Sequence, residues 1–229
     1  LYVVDLANGS LIKKIVVDEN NSGAAAVQAY GNGLSSPQIV VNAQHQIERI
    51  YAGDLRGNMW KFTGSDFSAS KLYAAGAGHP VTVKPLITEH PDGGYLISFG
   101  TGKFLEAADK VDKTRQAFYA VWDKPGATGV VAETLLQRQT ITGEGTVNGQ
   151  DYFYTSSNPV TWESQRGWFM PLVYQGVDEG ERVIYPAQTT EGRVVFVTAK
   201  VDANDPCVSS GSGRLVELDM LTGSMLSYE

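Results

Sequence analysis

The chain has 229 residues and a formal net charge of −7, from 25 Asp and Glu against 18 Lys and Arg. This balance disfavours nucleic acid as a partner, because phosphates need a basic surface, and no apolar run approaches the roughly 20 residues of a membrane-spanning helix. With 25 Gly and 10% aromatic residues, the composition is typical of one all-β domain built from many short strands and tight turns.

The two ends of the chain carry the same short unit. Residues 1–12 read LYVVDLANGSLI and residues 215–226 read LVELDMLTGSML, with Leu, Asp, Gly and Ser at equivalent places. Each unit predicts a strand, a turn led by Asp and a second strand. Because the first predicted strand begins at Leu1, without an initiator Met or a secretion signal, we expect residues 1–229 to be one domain of a longer protein.

Between these units, stretches of alternating apolar and polar residues predict further strands. Residues 50–62 predict a hairpin whose turn, from Asp54 to Gly57, places Asp and Gly at positive φ. Residues 103–114 have enough Ala, Lys, Glu and Asp for one or two helical turns, and residues 20–33 and 143–149 are predicted as loops rich in Gly and Asn. The predicted strands cover residues 1–6, 11–17, 37–41, 50–53, 59–62, 95–100, 117–123, 135–141, 166–170, 193–199 and 215–219.

Several of these stretches together resemble the C-terminal β-propeller of PilY/PilC-type factors, which are associated with the tip of the type IV pilus. The most specific is the hairpin string YAGDLRGNMWKF at residues 51–62, which is similar to the family's blade motif. The others follow in the family's order and are SFGTGKFL (98–105), QAFYAVWD (116–123), ERVIYP (181–186), GRVVF (192–196), DPC (205–207) and LVELD (215–219).

The resemblance implies an all-β fold, a β-propeller with quinoprotein-like blades and inserted loops. A propeller blade has about four strands. The eleven or so predicted strands would make three blades plus remnants. The chain is therefore expected to be either a partial propeller or a complete one whose remaining strands are hidden in the predicted loops.

A loop that binds Ca²⁺ in the family is degenerate in this sequence. In the family its pattern is D-x-[DN]-x-D-x-x-x-D, just before the Tyr-Ala-Gly-Asp strand, and the corresponding positions here are Val40, Asn42, Gln44 and Glu48. Calcium needs six to eight oxygens and enough negative charge to offset its dehydration. With one carboxylate and an apolar Val40, the loop is predicted to be free of metal, and no cofactor is predicted; a residual Ca²⁺ site is the alternative.

The four tryptophans divide into two predicted classes. Trp60 and Trp122 alternate with apolar neighbours on strands and are predicted to lie in the core. Trp162 and Trp168 flank the charged stretch 163–166 and are expected to be partly exposed. They are candidate ligand contacts, for example as part of an aromatic platform for a sugar.

Motifs of enzymes are incomplete, so no catalytic residue is predicted. Gly100-Thr-Gly-Lys103 lacks the Ser or Thr and the first Gly of a phosphate loop, and residues 209–213 contain no hydrolase elbow. The three histidines have no zinc-like spacing.

The acidic residues of 202–206 and the pair Asp109 and Asp112 are predicted to form turns or cap a helical turn. Cys207 is the single cysteine, with either a buried thiol or a bridge to another part of the protein as its expected state.

The resemblance implies a function in pilus biogenesis rather than catalysis. A non-enzymatic module of this family supports pilus assembly with minor pilins, regulates extension against retraction and, in some members, adheres to host cells or surfaces. Its expected place is extracellular, at the outer-membrane surface or the pilus tip, and loops on a rigid propeller would make the contacts.

Two other functions stay open at this point. Residues 1–9 also resemble the blade repeat of quinoprotein dehydrogenases, which would make the chain an enzyme. A periplasmic propeller that scaffolds protein assembly by binding peptides at its blade edges is the third class.

Overall fold

The computed structural model describes residues 1–17, 32–201 and 211–226. Cys207, the acidic turn 202–206 and most of the predicted loop 20–33 lie outside these ranges. Two short 3-10 helices occur within them, Ala107–Lys110 and Glu133–Leu135, and no helix there has the length and apolar character needed to cross a membrane. The strands are β1 (Tyr2–Val4), β2 (Leu11–Lys14), β3 (Gln38–Val41), β4 (Ile47–Gly53), β5 (Asn58–Thr63), β6 (Ser68–Ala74), β7 (Leu86–Glu89), β8 (Tyr95–Gly100), β9 (Ala117–Asp123), β10 (Gln137–Arg138), β11 (Ile141–Val147), β12 (Gln150–Thr155), β13 (Gly167–Pro171), β14 (Gln188–Thr190), β15 (Arg193–Val197), β16 (Lys200–Val201), β17 (Gly211–Ser212) and β18 (Leu215–Asp219).

Three sheets carry most of these strands. The first sheet is a meander in the order β3-β4-β5-β6, the second has the order β10-β13-β9-β8-β7, and the third has the order β14-β15-β18. All pairs are antiparallel except β10 with β13. Strands β1 and β2 form a hairpin before the first sheet. A four-stranded meander is the unit of a propeller blade, so the described residues form two full blades flanked by partial ones.

Apolar layers alternate with the sheets. Strand β9 is buried along its whole length, because successive side chains point to opposite faces and both faces are covered. Tyr119 packs toward Tyr51 of the first sheet, whereas Phe118 packs toward the third sheet, where its ring stacks on Phe196 with centroids 3.9 Å apart. Sheets that stack through both faces in this way are the basis of the propeller architecture.

A third layer joins the β1–β2 hairpin to the first sheet. Trp60 and Phe62 are buried there, with Leu1 and Ile15 packed against them. Trp60 is 6% exposed and Trp122, in the layer between the second and third sheets, is 2% exposed. The prediction that these two tryptophans lie in the core is confirmed.

The repeated unit at the two chain ends has the same turn geometry in both copies. Asp5 Oδ1 accepts the backbone N–H of Ala7 at 2.8 Å, and Asp219 Oδ1 accepts that of Leu221 at 3.0 Å. In each copy a glycine four residues after the Asp donates its N–H to the Asp carbonyl at 2.8 Å. That glycine has φ of 72° in the first copy and 67° in the second, a region that glycine adopts without strain.

A second repeat links the strands of each sheet. At the ends of β4, β8 and β15 stand Asp54, Thr101 and Thr198, whose exposed fractions are 0%, 0% and 2%. A side-chain oxygen of each accepts a backbone N–H at the start of the next strand in its sheet, from the first residue of β5 and of β9 and from the residue just before β18. The three distances are 2.9 Å from Asn58, 3.0 Å from Ala117 and 2.8 Å from Arg214. We call these residues the junction caps.

The residue before each of the first two junction caps is a glycine with a valine pressed against it. A Cβ on Gly53 would lie 2.2 Å from Val81 Cγ1, and a Cβ on Gly100 would lie 2.3 Å from Val183 Cβ. The same valines donate backbone N–H groups to the caps' carbonyls, at 2.8 Å and 3.0 Å. Each of the first two sheets is thus anchored to the chain segment that leads into the following sheet.

Several predicted elements differ from the structure. The predicted loop 143–149 is wrong, because β11 covers most of it and pairs with β12 around a turn at Asn148 and Gly149. The predicted strand 135–141 is split between a 3-10 turn, β10 and the start of β11. Strands β6, β7, β12, β14, β16 and β17 were not predicted from the alternation pattern. The helical stretch 103–114 is a single 3-10 turn.

Candidate functional site

The connections between strands collect at two opposite ends of the sheets. One end, which we call the turn face, carries the β3–β4 and β7–β8 turns, the end of β9 and the β14–β15 turn. The register of Tyr95 with Asp123 and of Arg193 with Asp219 fixes this grouping. The other end, the junction face, carries the three junction caps and the longer connections. Loops held on a rigid frame are the parts of such a fold that bind partners.

The four positions that correspond to the family's calcium loop make contacts of their own. Asn42 Oδ1 accepts the backbone N–H groups of Gln44 and Gln46 at 3.0 Å and 2.9 Å, so this oxygen closes its own turn. Val40 lies on β3 and packs partly against the core. Glu48 contacts Arg49 Nε at 3.4 Å. Residues 1–17, 32–201 and 211–226 contain no group of three or more His, Cys, Asp or Glu placed to hold a metal ion. The absence of a metal stays a prediction.

Behind this turn lies a buried ionic network that sequence reasoning missed. Asp123 is 1% exposed and comes from the second sheet. It accepts hydrogen bonds from three side chains of the first sheet: the Tyr51 hydroxyl at 2.6 Å, Arg49 Nη1 at 2.9 Å and Lys61 Nζ at 2.8 Å. The guanidinium of Arg49 also lies over the Tyr95 ring, 5.1 Å from its centroid.

The electrostatics of the network follow from burial and from the shared carboxylate. Burial, reinforced by the hydrogen bond to Asp123, raises the pKa of the Tyr51 phenol, so this hydroxyl acts as a donor. Burial alone would lower the pKa of Arg49, but its contacts with Tyr51 and Asp123 outweigh this effect and raise the pKa. Arg49 thus stays charged, and its bond to Asp123 joins the two sheets.

A small aromatic recess lies on the turn face beside the network. Trp162 is half-buried, with its ring at 87° to that of Trp122 and the centroids 5.6 Å apart. His90 is 4% exposed, stacks on Trp122 at 4.1 Å and meets Trp162 edge-on at 4.3 Å. Burial lowers the pKa of His90, with Asp92 opposing and Lys124 reinforcing this shift. His90 is therefore a neutral member of the cluster.

Trp168 lies elsewhere, and its expected partial exposure is wrong. Its exposed fraction is 0%, because β13 is an inner strand of the second sheet between β9 and β10. The indole Nε1 donates to the carbonyl of Met220 at 3.1 Å. The ring offers no surface to a ligand. Trp162 alone of the two keeps an accessible ring as a candidate contact.

The segment Gly100-Thr-Gly-Lys103, which is similar to part of a phosphate loop, lies on the junction face, and its lysine forms salt bridges within the fold. The ammonium of Lys103 contacts the carboxylates of Glu106 and Asp109. Asp109 Oδ2 also accepts the backbone N–H groups of Leu105 and Glu106 at 2.8 Å and 3.0 Å. The prediction that Asp109 caps a helical turn is confirmed, and Lys103 is engaged within the fold.

An open apolar groove of about 510 Å³ lies beside the third junction cap, Thr198. In the first two sheets the corresponding place is filled by Val81 and Val183. Within the described residues no backbone N–H reaches the carbonyl of Thr198. The walls include the exposed side chains of Tyr185 and Leu215.

Comparisons with known proteins bear on the whole chain. The model of the PilY1 beta-propeller domain matches residues 1–71 and 62–152. The type IV pilus biogenesis factor PilY1 of Pseudomonas aeruginosa strain PAO1 is 30% identical over 277 aligned positions, which cover 100% of this chain and 23% of that protein. A PilY1 homolog of Xylella fastidiosa is 29% identical over 97% of this chain and 17% of its own length. This chain therefore spans less than a quarter of these relatives.

A solved structure supports the same assignment. The crystal structure of the Pseudomonas aeruginosa PilY1 C-terminal domain superposes with a TM-score of 0.78 at 26% identity. The alignment covers 99% of this chain and 54% of that domain. The all-β propeller fold predicted from the sequence is confirmed by this match.

Proposed function

This chain belongs to the PilY1 β-propeller family, and from this premise we propose that it is a non-enzymatic binding module of a type IV pilus biogenesis factor. One observation carries the proposal: almost the whole chain aligns with a solved PilY1 C-terminal domain. The aligned full-length relatives are named as type IV pilus biogenesis factors.

The module would act by presenting loops from a stiff frame. Apolar layers on both faces of the second sheet and the Asp123 network fix the positions of the turns. A pre-ordered binding surface loses little conformational entropy when a partner binds. The proposed partners are minor pilins at the pilus tip, on the outer surface of the cell, where binding would favour pilus assembly and extension over retraction. A host or surface receptor is a further proposed partner.

Regulation of this module would not depend on calcium. The turn at residues 42–46 is closed by the Asn42 side chain and by the backbone bond from Asn42 N to Gln46 O at 2.9 Å. The adjacent Arg49 is fixed by Asp123. The turn is thus closed by an amide side chain and by backbone hydrogen bonds of its own. The proposed module is therefore ordered at all calcium concentrations.

The test is made in the full-length protein in its own bacterium. Removal of residues 1–229 is expected to abolish surface pili, measured by shearing the cells and blotting for pilin, while the truncated protein is still exported. The control is Asp178→Ala, which removes one side chain of an exposed ion pair. It should leave the number of pili unchanged. Normal pilus number and normal retraction in the deletion strain would refute the proposal.

A further inference from the structure

The recess beside Trp162 has the composition of a small binding site. It has a volume of about 210 Å³ and is lined by Trp122, Trp162, Asp92, Glu163 and Lys124. Small-molecule sites combine aromatic walls with a few convergent polar groups. Three segments far apart in the sequence meet here, namely the β7–β8 turn, the end of β9 and the loop before β13.

The aromatic wall is fixed before any ligand arrives. The loop that carries Trp162 is closed by a bond from Gln165 N to the Thr161 carbonyl at 2.7 Å and by one from Thr161 N to Gln165 Oε1 at 2.7 Å. The rings of His90 and Trp122 support the Trp162 ring from within. A wall held in this way needs no rearrangement on binding.

The charged groups at the recess form no ion pair with one another. Within the described part of the chain, the carboxylates of Asp92 and Glu163 make no hydrogen bond or ion pair, and Lys124 makes no ion pair. The Lys124 ammonium instead lies over the Trp122 ring, 4.8 Å from its centroid. Asp92 is positioned through its backbone N–H, which donates to His90 Nδ1 at 3.1 Å. Two acceptors and one donor group therefore remain available to a ligand.

We propose that this recess binds one ring of a neutral saccharide. A sugar ring presents C–H groups on its faces, which pack on an indole, and hydroxyls around its edge, which donate to carboxylates and accept from an ammonium. The mixed signs of Asp92, Glu163 and Lys124 disfavour an anion. Lys124 already occupies the face of Trp122 that would attract a cationic side chain.

The inference deepens the proposed surface function, on which it rests, by giving adhesion a chemical class of ligand. Pilus assembly and glycan binding have separate readouts. The deletion test above measures pilus number in cells. The test below measures binding by the purified full-length protein, so each proposal can fail without the other.

The experiment is to apply the purified full-length protein to an array of immobilised neutral and sialylated glycans. We expect binding to a set of neutral glycans, with at least a tenfold loss for Trp162→Ala and a partial loss for Trp162→Phe, which keeps a ring against His90. The isosteric substitutions Asp92→Asn and Glu163→Gln should each weaken binding, because a carboxylate is the stronger acceptor. Tyr185→Ala, an exposed aromatic on the junction face, is the matched control and should bind as the wild type does.

Two results would overturn the inference. One is an array on which wild-type binding is absent or does not change in any of the four recess variants. The other is displacement of the recess signal by lysine-rich peptides and not by free sugars, which would assign the recess to a cationic protein partner. Thermal melts of each variant identify loss of folding, and the isosteric carboxamide variants keep the test valid if Trp162→Ala is unstable.

Discussion

The Tyr51 hydroxyl donates a 2.6 Å hydrogen bond to Asp123 Oδ2, between residues 72 positions apart in the chain. The bond crosses from the first sheet to the second, inside a network that also contains Arg49 and Lys61. A carboxylate removed from water is stable only when donors replace its hydration. Three side chains of one sheet do so for a single side chain of the next.

Removal of this carboxylate is expected to destabilise the domain substantially. Asp123→Asn leaves two cations facing a neutral amide, and breaking a buried ion pair costs about 3–5 kcal/mol. The side chains of Arg49 and Lys61 are 24% and 19% exposed and regain some hydration, so we expect the lower end, about 3 kcal/mol. Urea denaturation followed by tryptophan fluorescence measures the loss.

The matched control is another aspartate in an ion pair. Asp178 pairs with Arg115, and both side chains are about two-fifths exposed, at 40% and 43%. Because exposed pairs contribute little, Asp178→Asn should change the free energy of unfolding by less than about 1 kcal/mol. Equal losses for the two substitutions would contradict the role assigned to burial.

A methyl group added at Gly53, which Val81 contacts, or at Gly100, which Val183 contacts, should strain the core. In Gly53→Ala the new Cβ would lie 2.2 Å from Val81 Cγ1, and overpacking of this kind costs about 1–3 kcal/mol. The double variant with Val81→Ala removes the contact with Cγ1 but keeps the Cβ of residue 81, which lies 2.4 Å from the new Cβ. It should therefore recover only part of that loss, which gives a measurable coupling energy. Gly143→Ala is the control, because its Cβ would be 3.6 Å from the nearest atom, Tyr154 Cδ2. Strict additivity of the Gly53 and Val81 substitutions would refute the direct contact.

The buried His90 should make stability depend on acidity. Burial lowers the pKa of His90 from its usual 6.5, so the unfolded chain takes up a proton more readily than the folded domain. Stability from this residue is complete above about pH 6.5 and declines as the pH falls toward the folded-state pKa. The non-titrating variant His90→Phe should therefore show a shallower acid loss in melts between neutral and mildly acidic pH. An unchanged acid slope in His90→Phe would contradict this role of His90.

Calcium is expected to have no effect on the melting temperature. The side-chain oxygen of Asn42 accepts two backbone N–H groups of its own turn. Glu48 is the single carboxylate among the four positions that correspond to the family's calcium loop. Melts with added Ca²⁺ or with EGTA should coincide. A calcium-dependent rise that disappears in Glu48→Ala would show that a site exists at this loop.

The sequence predicted those parts of the fold that depend on neighbouring residues. Strands β8, β9 and β18 have the predicted bounds. In β8 and β9 both faces are buried, and the sequence shows this as a nearly continuous apolar run. The Asp5 and Asp219 turns also match, since Asp and Gly have local reasons to adopt such turns. By contrast, strand β6 begins with the exposed Ser68-Ala-Ser and lacks an apolar signal.

Contacts between segments far apart in the sequence could not be predicted from the alternation of apolar and polar residues. Charged neighbours at 163–166 suggested exposure of both Trp162 and Trp168, but Trp168 belongs to an inner strand whose partners come from β9 and β10. The Asp123 network joins residues from three strands of two sheets. Its available sequence signal was the presence of Arg49 on β4 and Lys61 on β5. Single charged residues of this kind also occur on ordinary solvent-facing strands.

The junction caps have a consequence for how such a protein diversifies. The cap-to-strand bond spans 4 residues at Asp54 but 16 at Thr101 and Thr198, with similar geometry in each case. One side chain thus sets where the next strand starts, whatever length of chain lies between. An insertion or deletion in such a connection would therefore change the exposed loop and leave the register of the sheet as it is.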